Sequence, residues 1–363
     1  FDGVNYQIGD YKIELVWIDS QSDPAKGSNA YTEAIEKQGI GASFANWHSS
    51  VAMAMMDICA QYKIPHIPGL GASSMITDKF NGDRAKFNGY YLKSWPNPEK
   101  MFQGYIDFVD EIVKSGKWKP KSKKIALFAE DTDWGHSAMA AFKKGFGSSG
   151  QWEIVSEDLF PATQTDFYQM LGRYKSQDVA LIAGVTTYPA MGALVKQADE
   201  TKLGALIISD RLSEVGNWYE VTGKSSNYLL DMMPTLSTEQ AKAWFNTVKE
   251  KYNISPSPVA GGLSHDSAKL LIKVMKRANE KYGELTSEGI ANVVRDEVVP
   301  GTLTLTAADG AVIMKEYKYT EETAPDPLVG PDYYFFPIVQ CMDGQALVVY
   351  PEYAKQTDFQ LPK

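Results

Sequence analysis

The stretch Ile40–Thr77 reads IGASFANWHSSVAMAMMDICAQYKIPHIPGLGASSMIT, and it alternates two periodicities. Ile40–Ala45 is a short apolar run of buried-strand length. Asn46-Trp47-His48 makes a turn, and Ser49-Ser50 opens a run with helical spacing over Val51–Tyr62. A second short strand, Ile64–Ile67, ends in the glycine-rich turn Pro68–Gly71, followed by Ala72-Ser73-Ser74. The pattern is strand–helix–strand, with hydroxyls just past the carboxyl ends of two strands. In open α/β sheets ligands bind in that crevice. A helix N-terminus adds N–H groups without intrahelical partners and a partial positive charge. The two serine clusters could therefore hold a carboxylate without any basic residue. Serine before a helix is also an ordinary N-cap, so the stretch alone leaves both readings open.

The same alternation extends outward. Asp10–Asp19 reads as a strand, with Ile13, Leu15, Val16 and Ile18. A helix opens at Ser22-Asp23-Pro24, proline suiting a first turn, and closes at Gly39. Lys79–Phe87 reads as a polar loop, Tyr90–Leu92 as a strand and Pro98–Ser115 as an amphipathic helix. The basic run Lys117–Lys124 is a candidate linker. A second series follows, with strands at Ile125–Ala129, Trp152–Val155, Val179–Ala183, Leu206–Ser209 and Tyr228–Met232. Helices over Asp133–Phe146, Thr165–Tyr174 and Met191–Ala198 separate them. Two alternating series predict an α/β fold with two lobes, each a mostly parallel sheet flanked by helices. Helical patterns at Thr238–Tyr252, Ser264–Tyr282 and Ser287–Arg295 follow. Strands at Val312–Tyr319 and Tyr334–Val349, the latter broken by an Asp343-Gly344 turn, then suggest that the chain recrosses between lobes.

Composition narrows the function. A length of 363 residues suits two cores. A net charge of −9 argues against nucleic acid and acidic membrane surfaces as partners. Neither Cys59 nor Cys341 sits in a metal-binding pattern. Cys59, on an apolar helix, reads as a buried free thiol, with a Cys59–Cys341 disulfide the weaker alternative. His48, His66, His136 and His265 show no ligand spacing, so no metal and no cofactor is expected. Gly145-Phe146-Gly147-Ser148-Ser149-Gly150 matches a dinucleotide fingerprint in letters, but a helix precedes it and a strand follows, the reverse of the required context. No G-x-S-x-G elbow occurs, and His265-Asp266 reads as a helix-start pair rather than part of a triad. No catalytic residue is assigned. Trp47, Trp134, Tyr188 and Trp218 all lie near predicted turns after strands, where aromatics supply contact area to a ligand.

Five passages together resemble the type I periplasmic binding proteins of the branched-chain amino-acid (Leu/Ile/Val-binding) kind, which serve ABC importers. They are Lys12–Pro24, Ser49–Thr77, Lys124–Ser137, Val185–Gly192 and Gly262–Ala278. The resemblance implies two lobes joined by three hinge crossings, with a ligand in the cleft and closure around it. It divides the chain into residues 1–121 plus 236–331 and residues 122–235 plus 332–363. It implies a carboxylate held by Ser49 or Ser50 with Ala72 and Ser73, an aromatic at Trp134, a pocket residue at Thr187 beside Tyr188, and an acid for a ligand ammonium at Asp210. Arg211 is the alternative, favouring a second carboxylate. Trp134 and Thr187 stand where the family has tyrosines, and His265 where it often has one, so the ligand class stays open beyond a small carboxylate, with an amino acid favoured. The family's first strand–helix unit has no counterpart here, and the resemblance implies that this unit and an export signal precede Phe1. The implied protein is a non-enzymatic, monomeric solute-binding protein of the periplasm, or lipid-anchored outside the cell, whose partners are a small ligand and a membrane permease. A hydrolase using His265 and a sensor ectodomain of the same fold are the competing readings.

Overall fold

The structure, a computed structural model, describes residues 6–232, 239–334 and 336–362. In chain order, the hairpin β1 (Tyr6–Ile8) and β2 (Tyr11–Ile13) leads to α1 (Pro24–Gln38), α2 (Ser49–Tyr62), β3 (His66–Gly69), α3 (Ser74–Gly82), α4 (Arg84–Phe87) and β4 (Tyr91–Lys93). Then come α5 (Pro98–Lys114), β5 (Lys124–Glu130), α6 (Asp133–Ser149), β6 (Glu153–Phe160), α7 (Tyr168–Ser176), β7 (Leu181–Val185), α8 (Tyr188–Glu200), β8 (Leu206–Ile208), α9 (Trp218–Thr222) and β9 (Leu230–Met232). The rest is α10 (Glu239–Tyr252), α11 (Leu263–Tyr282), α12 (Ser287–Val293), the short strands β10 (Leu305–Thr306) and β11 (Glu316–Tyr317), and the hairpin β12 (Ile338–Met342) and β13 (Gln345–Tyr350).

Two compact units result. Unit 1 is Phe1–Asn97, Leu236–Pro256 and Ala260–Phe335; unit 2 is Pro98–Thr235, Ser257–Val259 and Phe336–Lys363. The first division falls before α5 rather than in the basic run. The cause is aromatic packing: Phe102 of α5 stacks on Phe142 of α6 at 4.2 Å between ring centroids, and Tyr105 also meets that ring. The basic run lies inside unit 2, where Trp118 stacks on Trp152.

Unit 2 carries a seven-stranded sheet in the order β13-β12-β9-β8-β7-β5-β6. The neighbours from β9 to β6 are parallel, while β12 and β13 run antiparallel at one edge. β7 is buried throughout, as expected of a strand covered on both faces. From β5 the chain goes outward on one side to β6 and on the other to β7, so the strand order reverses between β5 and β7. Such a switch point leaves a crevice at the carboxyl ends of the strands.

In unit 1, β3 pairs with β4 in parallel, and Ser43 bridges to His66 on the other side. α1 begins as its sequence directs: Asp23 accepts from the Lys26 N–H, Pro24 occupies the first turn, and Gly39 closes the helix at φ 67°.

Three expectations are corrected. The strand expected over Asp10–Asp19 is regular only at Tyr11–Ile13; Glu14–Ser20 carries no ladder among the described residues, and Trp17 is 88% exposed. A strand pattern without a neighbouring strand has nowhere to place its N–H and C=O groups except water. Lys79–Phe87 is helical rather than loop-like, because Ser73 and Asp83 cap α3 and α4 and because Ile76, Phe80 and Phe87 are buried. Val312–Tyr319 is a strand only at Glu316–Tyr317, because the N–H groups of Val312 and Ile313 bond the Asp266 carboxylate at 2.8 and 2.9 Å instead of a ladder.

Both cysteines are free and fully buried, Cys59 in unit 1 and Cys341 in unit 2. Burial pushes the Cys59 thiol up to about 12, leaving almost no thiolate at neutral pH. Neither thiol should react with an aromatic disulfide reagent in the native protein, and both should react once urea unfolds it. Rapid labelling of the native state would contradict this burial.

Candidate ligand-binding site

In unit 1 two helix N-termini meet. α2 begins at Ser49 and the His48 side chain makes no cap bond to it; among the described residues no cap takes the first N–H groups of α2. α3 begins after Ser73, whose hydroxyl accepts from the Met75 N–H. The Ser73 N–H donates to the Ser49 hydroxyl oxygen at 3.2 Å, tying the two termini together. That bond uses the oxygen of Ser49 and leaves its proton to donate. Gly71 permits the approach: a Cβ there would lie 2.9 Å from Ile76 Cδ1 and 3.2 Å from Ser49 Cα.

Beneath this pair lies Lys93, a lysine with no exposed side-chain surface. Its ammonium is 2.8 Å from Asp326 Oδ1. It also donates to Thr77 Oγ1 and Asn97 Oδ1, both at 3.1 Å, and reaches the carbonyls of Ser73 and Ala72 at 3.3 and 3.4 Å. Thr77 closes the circuit by donating to Asp326. The ammonium is thus fully engaged inward and holds the 72–73 segment from below.

In unit 2 the carboxyl ends of β5, β7 and β8 lie side by side. β5 ends in Glu130, which is buried; its Oε1 accepts from the Thr132 hydroxyl and its Oε2 from the Thr187 N–H at 2.9 Å. Gly135 follows in α6 because any Cβ there would lie 1.8 Å from the Glu130 carbonyl. β8 leads into Ser209-Asp210-Arg211, and one buried carboxylate, Asp231, shapes that turn. Asp231 accepts from the N–H groups of Arg211, Ser213 and Met232 and from the hydroxyls of Ser209 and Ser213. These bonds hold Arg211 at φ 63°, a left-handed conformation that an arginine does not take unaided. Burial pushes Asp231 up to about 6, against the pull of its Ser213 hydrogen bonds.

Asp210 itself is 4% exposed; its Oδ2 accepts from Arg211 Nε at 3.1 Å, while its Oδ1 has no hydrogen-bond partner among the described residues. Burial raises its pKa, and the adjacent Arg211 opposes the rise. Thr186 Oγ1 is buried with no partner among the described residues as well. A buried acceptor left open costs roughly 1–3 kcal/mol, which a ligand donor would offset.

Within each unit, some of the residues expected from sequence lie together. Ser49 and Ser73 share a hydrogen bond, with Ala72 beside them; Ser50 is half-buried in the first turn of α2. Trp47 is 36% exposed at the turn before α2. Trp134 is half-buried, 6.0 Å from the Phe102 ring. Thr187 is exposed and donates its hydroxyl to the Ala162 carbonyl, and Tyr188 reaches Asn217 from the start of α8. Asp210 and Arg211 are paired with each other. Trp218 lies in the unit 2 core. His265 contacts Asp266 at 3.0 Å and packs on Trp244, and Asp266 is occupied by Val312, Ile313 and Tyr317, so the pair ties α11 to the following segment. Sequence reasoning missed Lys93, Glu130, Thr186 and Asp231. The one visible signal was charge inside apolar strands, as in Tyr91-Leu92-Lys93 and Leu230-Asp231-Met232.

A sequence profile of the family described as periplasmic binding protein matches residues 1–319, and the chain belongs to that family. Its fold is the two-lobed one of these proteins. Among solved structures it is similar to LivJ from Streptococcus pneumoniae in complex with isoleucine, at TM-score 0.72 and 17% identity, covering 93% of this chain and 87% of that one. It is also similar to the leucine-binding protein LivK from Thermotoga maritima, at TM-score 0.69 and 19% identity, covering 94% and 87%. A solute-binding protein of an R. palustris ABC transporter in complex with benzoate matches at TM-score 0.73 and 17% identity, covering 94% and 86%. By its family the chain is a binding protein rather than a catalyst.

Breaking the buried pair tests the support under Ser73. Lys93→Met leaves Asp326 uncompensated and should lower the unfolding free energy by about 3–5 kcal/mol in urea titration. Adding Asp326→Leu should recover much of that loss; equal stability of Lys93→Met and the native protein would show the pair to be unimportant. Asp231→Asn tests the second unit. A carboxyl whose folded pKa is raised stabilises fully below its unfolded pKa of about 3.9, and that stability is lost as pH rises through about 6. The native protein should therefore lose up to about 3 kcal/mol relative to Asp231→Asn between pH 4 and 7.

Proposed function

We propose that the chain captures a small carboxylate-bearing solute, best an amino acid, outside the cytoplasm and delivers it as a monomer to the permease of an ABC importer. The observation that carries this reading is the contrast between the two sets of strand ends. Unit 1 offers N–H and hydroxyl donors at two joined helix N-termini, suited to a carboxylate. Unit 2 offers Glu130, Asp210 and Asp231 against the single guanidinium of Arg211, with Asp210 Oδ1 open. An excess of buried acid suits an ammonium, and Asp210 supplies the acceptor. In unit 1, Ser49, Ser50, Ala72 and Ser73 would hold the carboxylate, with Trp47 as an apolar contact; in unit 2, Trp134, Thr187 and Tyr188 would contact the solute's side chain. The Lys93 ammonium is already neutralised by Asp326 and adds no net charge.

An aromatic carboxylate is the second reading, favoured by the likeness to a protein holding benzoate. It leaves Asp210 Oδ1 without a cationic partner. Use of the same fold as a sensor ectodomain is compatible with either ligand. Among the described residues no helix is long and apolar enough to cross a membrane.

Thermal unfolding against amino acids, benzoates and dicarboxylates decides between the ligand classes. A ligand at about 100 times its dissociation constant adds roughly 2.7 kcal/mol, a shift of a few degrees. Amino acids should raise Tm while benzoate does not, and Asp210→Asn should weaken the amino acid at least tenfold, about 1.4 kcal/mol. Trp134→Ala should weaken it at least as much; unchanged affinity would remove Trp134 from the pocket. A shift with benzoate alone would overturn the amino-acid assignment.

A further inference from the structure

Under the unit 1 donors runs a chain of buried polar side chains. Cys59 Sγ lies 3.5 Å from Tyr31 Oη, Tyr31 Oη 2.7 Å from Ser43 Oγ, and Ser43 Oγ 2.8 Å from His66 Nδ1. His66 Nε2 is 2.7 Å from Asn46 Oδ1, and Asn46 Nδ2 donates to the His48 carbonyl at 3.3 Å. That last bond fixes the amide orientation, because the reversed amide would set its oxygen against the carbonyl oxygen. Asn46 Oδ1 is then an acceptor, so Nε2 of His66 carries the proton and Nδ1 accepts from Ser43. The whole chain has one direction, from the Cys59 thiol to the turn before α2. Gly69 is glycine because the chain passes over it: a Cβ there would lie 2.5 Å from Tyr91 Oη, 2.6 Å from Asn46 Oδ1 and 3.1 Å from His66 Nε2.

Asn46 is the junction between the two donor clusters. Its side chain holds the carbonyl of His48, the residue before Ser49. Its own carbonyl accepts from the Leu70 N–H at 2.8 Å, at the start of the segment leading to Ala72 and Ser73. We propose that His66 is a positioning residue for these donors: as a neutral Nε2–H tautomer it orients Asn46, and through Asn46 it sets the entries to α2 and α3 relative to each other. The proposal rests on the reading of Ser49 and Ser73 as carboxylate donors. His66 is 1% exposed, and the groups around it are Ser43, Asn46, Tyr31 of α1, Cys59 of α2 and Tyr91 of β4, whose ring stacks on the imidazole at 5.4 Å. None of these is a carboxylate, and burial pushes the imidazole down to about 3. The tautomer therefore persists throughout the physiological range.

The test uses nitrogen NMR of the full chain labelled at histidine, together with backbone amide shifts. Native His66 should show the Nε2–H tautomer and no titration between pH 5 and 8; an Nδ1–H tautomer, or titration in that range, overturns the proposal. Asn46→Asp keeps Oδ1 and sets an anion beside Nε2, which should bring His66 titration into that range. The amides of Ser49, Ser50, Ser73 and Ser74 should then move with it, and affinity for L-isoleucine or benzoate, titrated separately, should change about tenfold across that pH range. His66→Gln, which keeps a donor to Asn46, should hold those amides near their native positions, and His66→Leu should shift them. Amides that stay fixed while His66 titrates overturn the positioning role, even if Ser49→Ala weakens ligand binding. If the amides move but Ser49→Ala binds both probes as the native protein does, the carboxylate reading of Ser49 fails and the role of His66 toward a ligand falls with it.

Discussion

A polar group removed from water needs a partner, and in this chain that requirement sets the course of the loops at the strand ends. Lys93 gathers Asp326, Thr77, Asn97 and the 72–73 carbonyls around one ammonium. Asp231 draws the 209–213 turn around one carboxylate, and Asp266 does the same for Val312, Ile313 and Tyr317. A buried charge without its partner costs several kcal/mol, a large share of a typical folding free energy. These loops are therefore fixed by charge neutralisation and hydrogen bonding, where strands elsewhere are fixed by ladders and apolar burial.

That division explains what could be read from the sequence. The alternation of β5, α6, β6, α7, β7 and α8 was legible because each is an apolar run or a helical stripe bounded by turn residues, and the element types hold with boundaries shifted by a few residues. The Asp343-Gly344 turn between β12 and β13 was legible for the same local reason. The failures have different causes: a distant partner in one place, and local capping with apolar burial in another. Val312 and Ile313 have strand side chains, but their N–H groups go to Asp266, 46 and 47 residues earlier. Lys79–Phe87 is polar in composition, yet two side-chain caps and three buried apolar residues make it helical.

The site divides in the same way. Ser49 and Ser73 announce themselves by lying where helices begin after strands. Glu130 closes an apolar strand and gives no sign that the Thr187 N–H, 57 residues on, will bond it. Asp210 and Arg211 could be named but not ranked, because adjacency in sequence does not say that one would neutralise the other. Proteins with leucine, isoleucine and benzoate in their names or complexes share this fold at 17–19% identity. Architecture alone therefore does not select the solute.

The Asp231 turn carries an implication for how such a site changes over generations. Its path is written in main-chain N–H groups and two serine hydroxyls converging on a carboxylate, not in the side chains of positions 210 to 212. The side chains of Asp210 and Arg211 are carried on that curve, while Leu212 packs into the core. Substitutions at Asp210 or Arg211 alter what the turn displays while the main-chain curve persists, provided that the pair changes together so that no buried charge loses its partner. The anchor has less latitude, since a replacement at Asp231 that cannot accept these hydrogen bonds would release the curve.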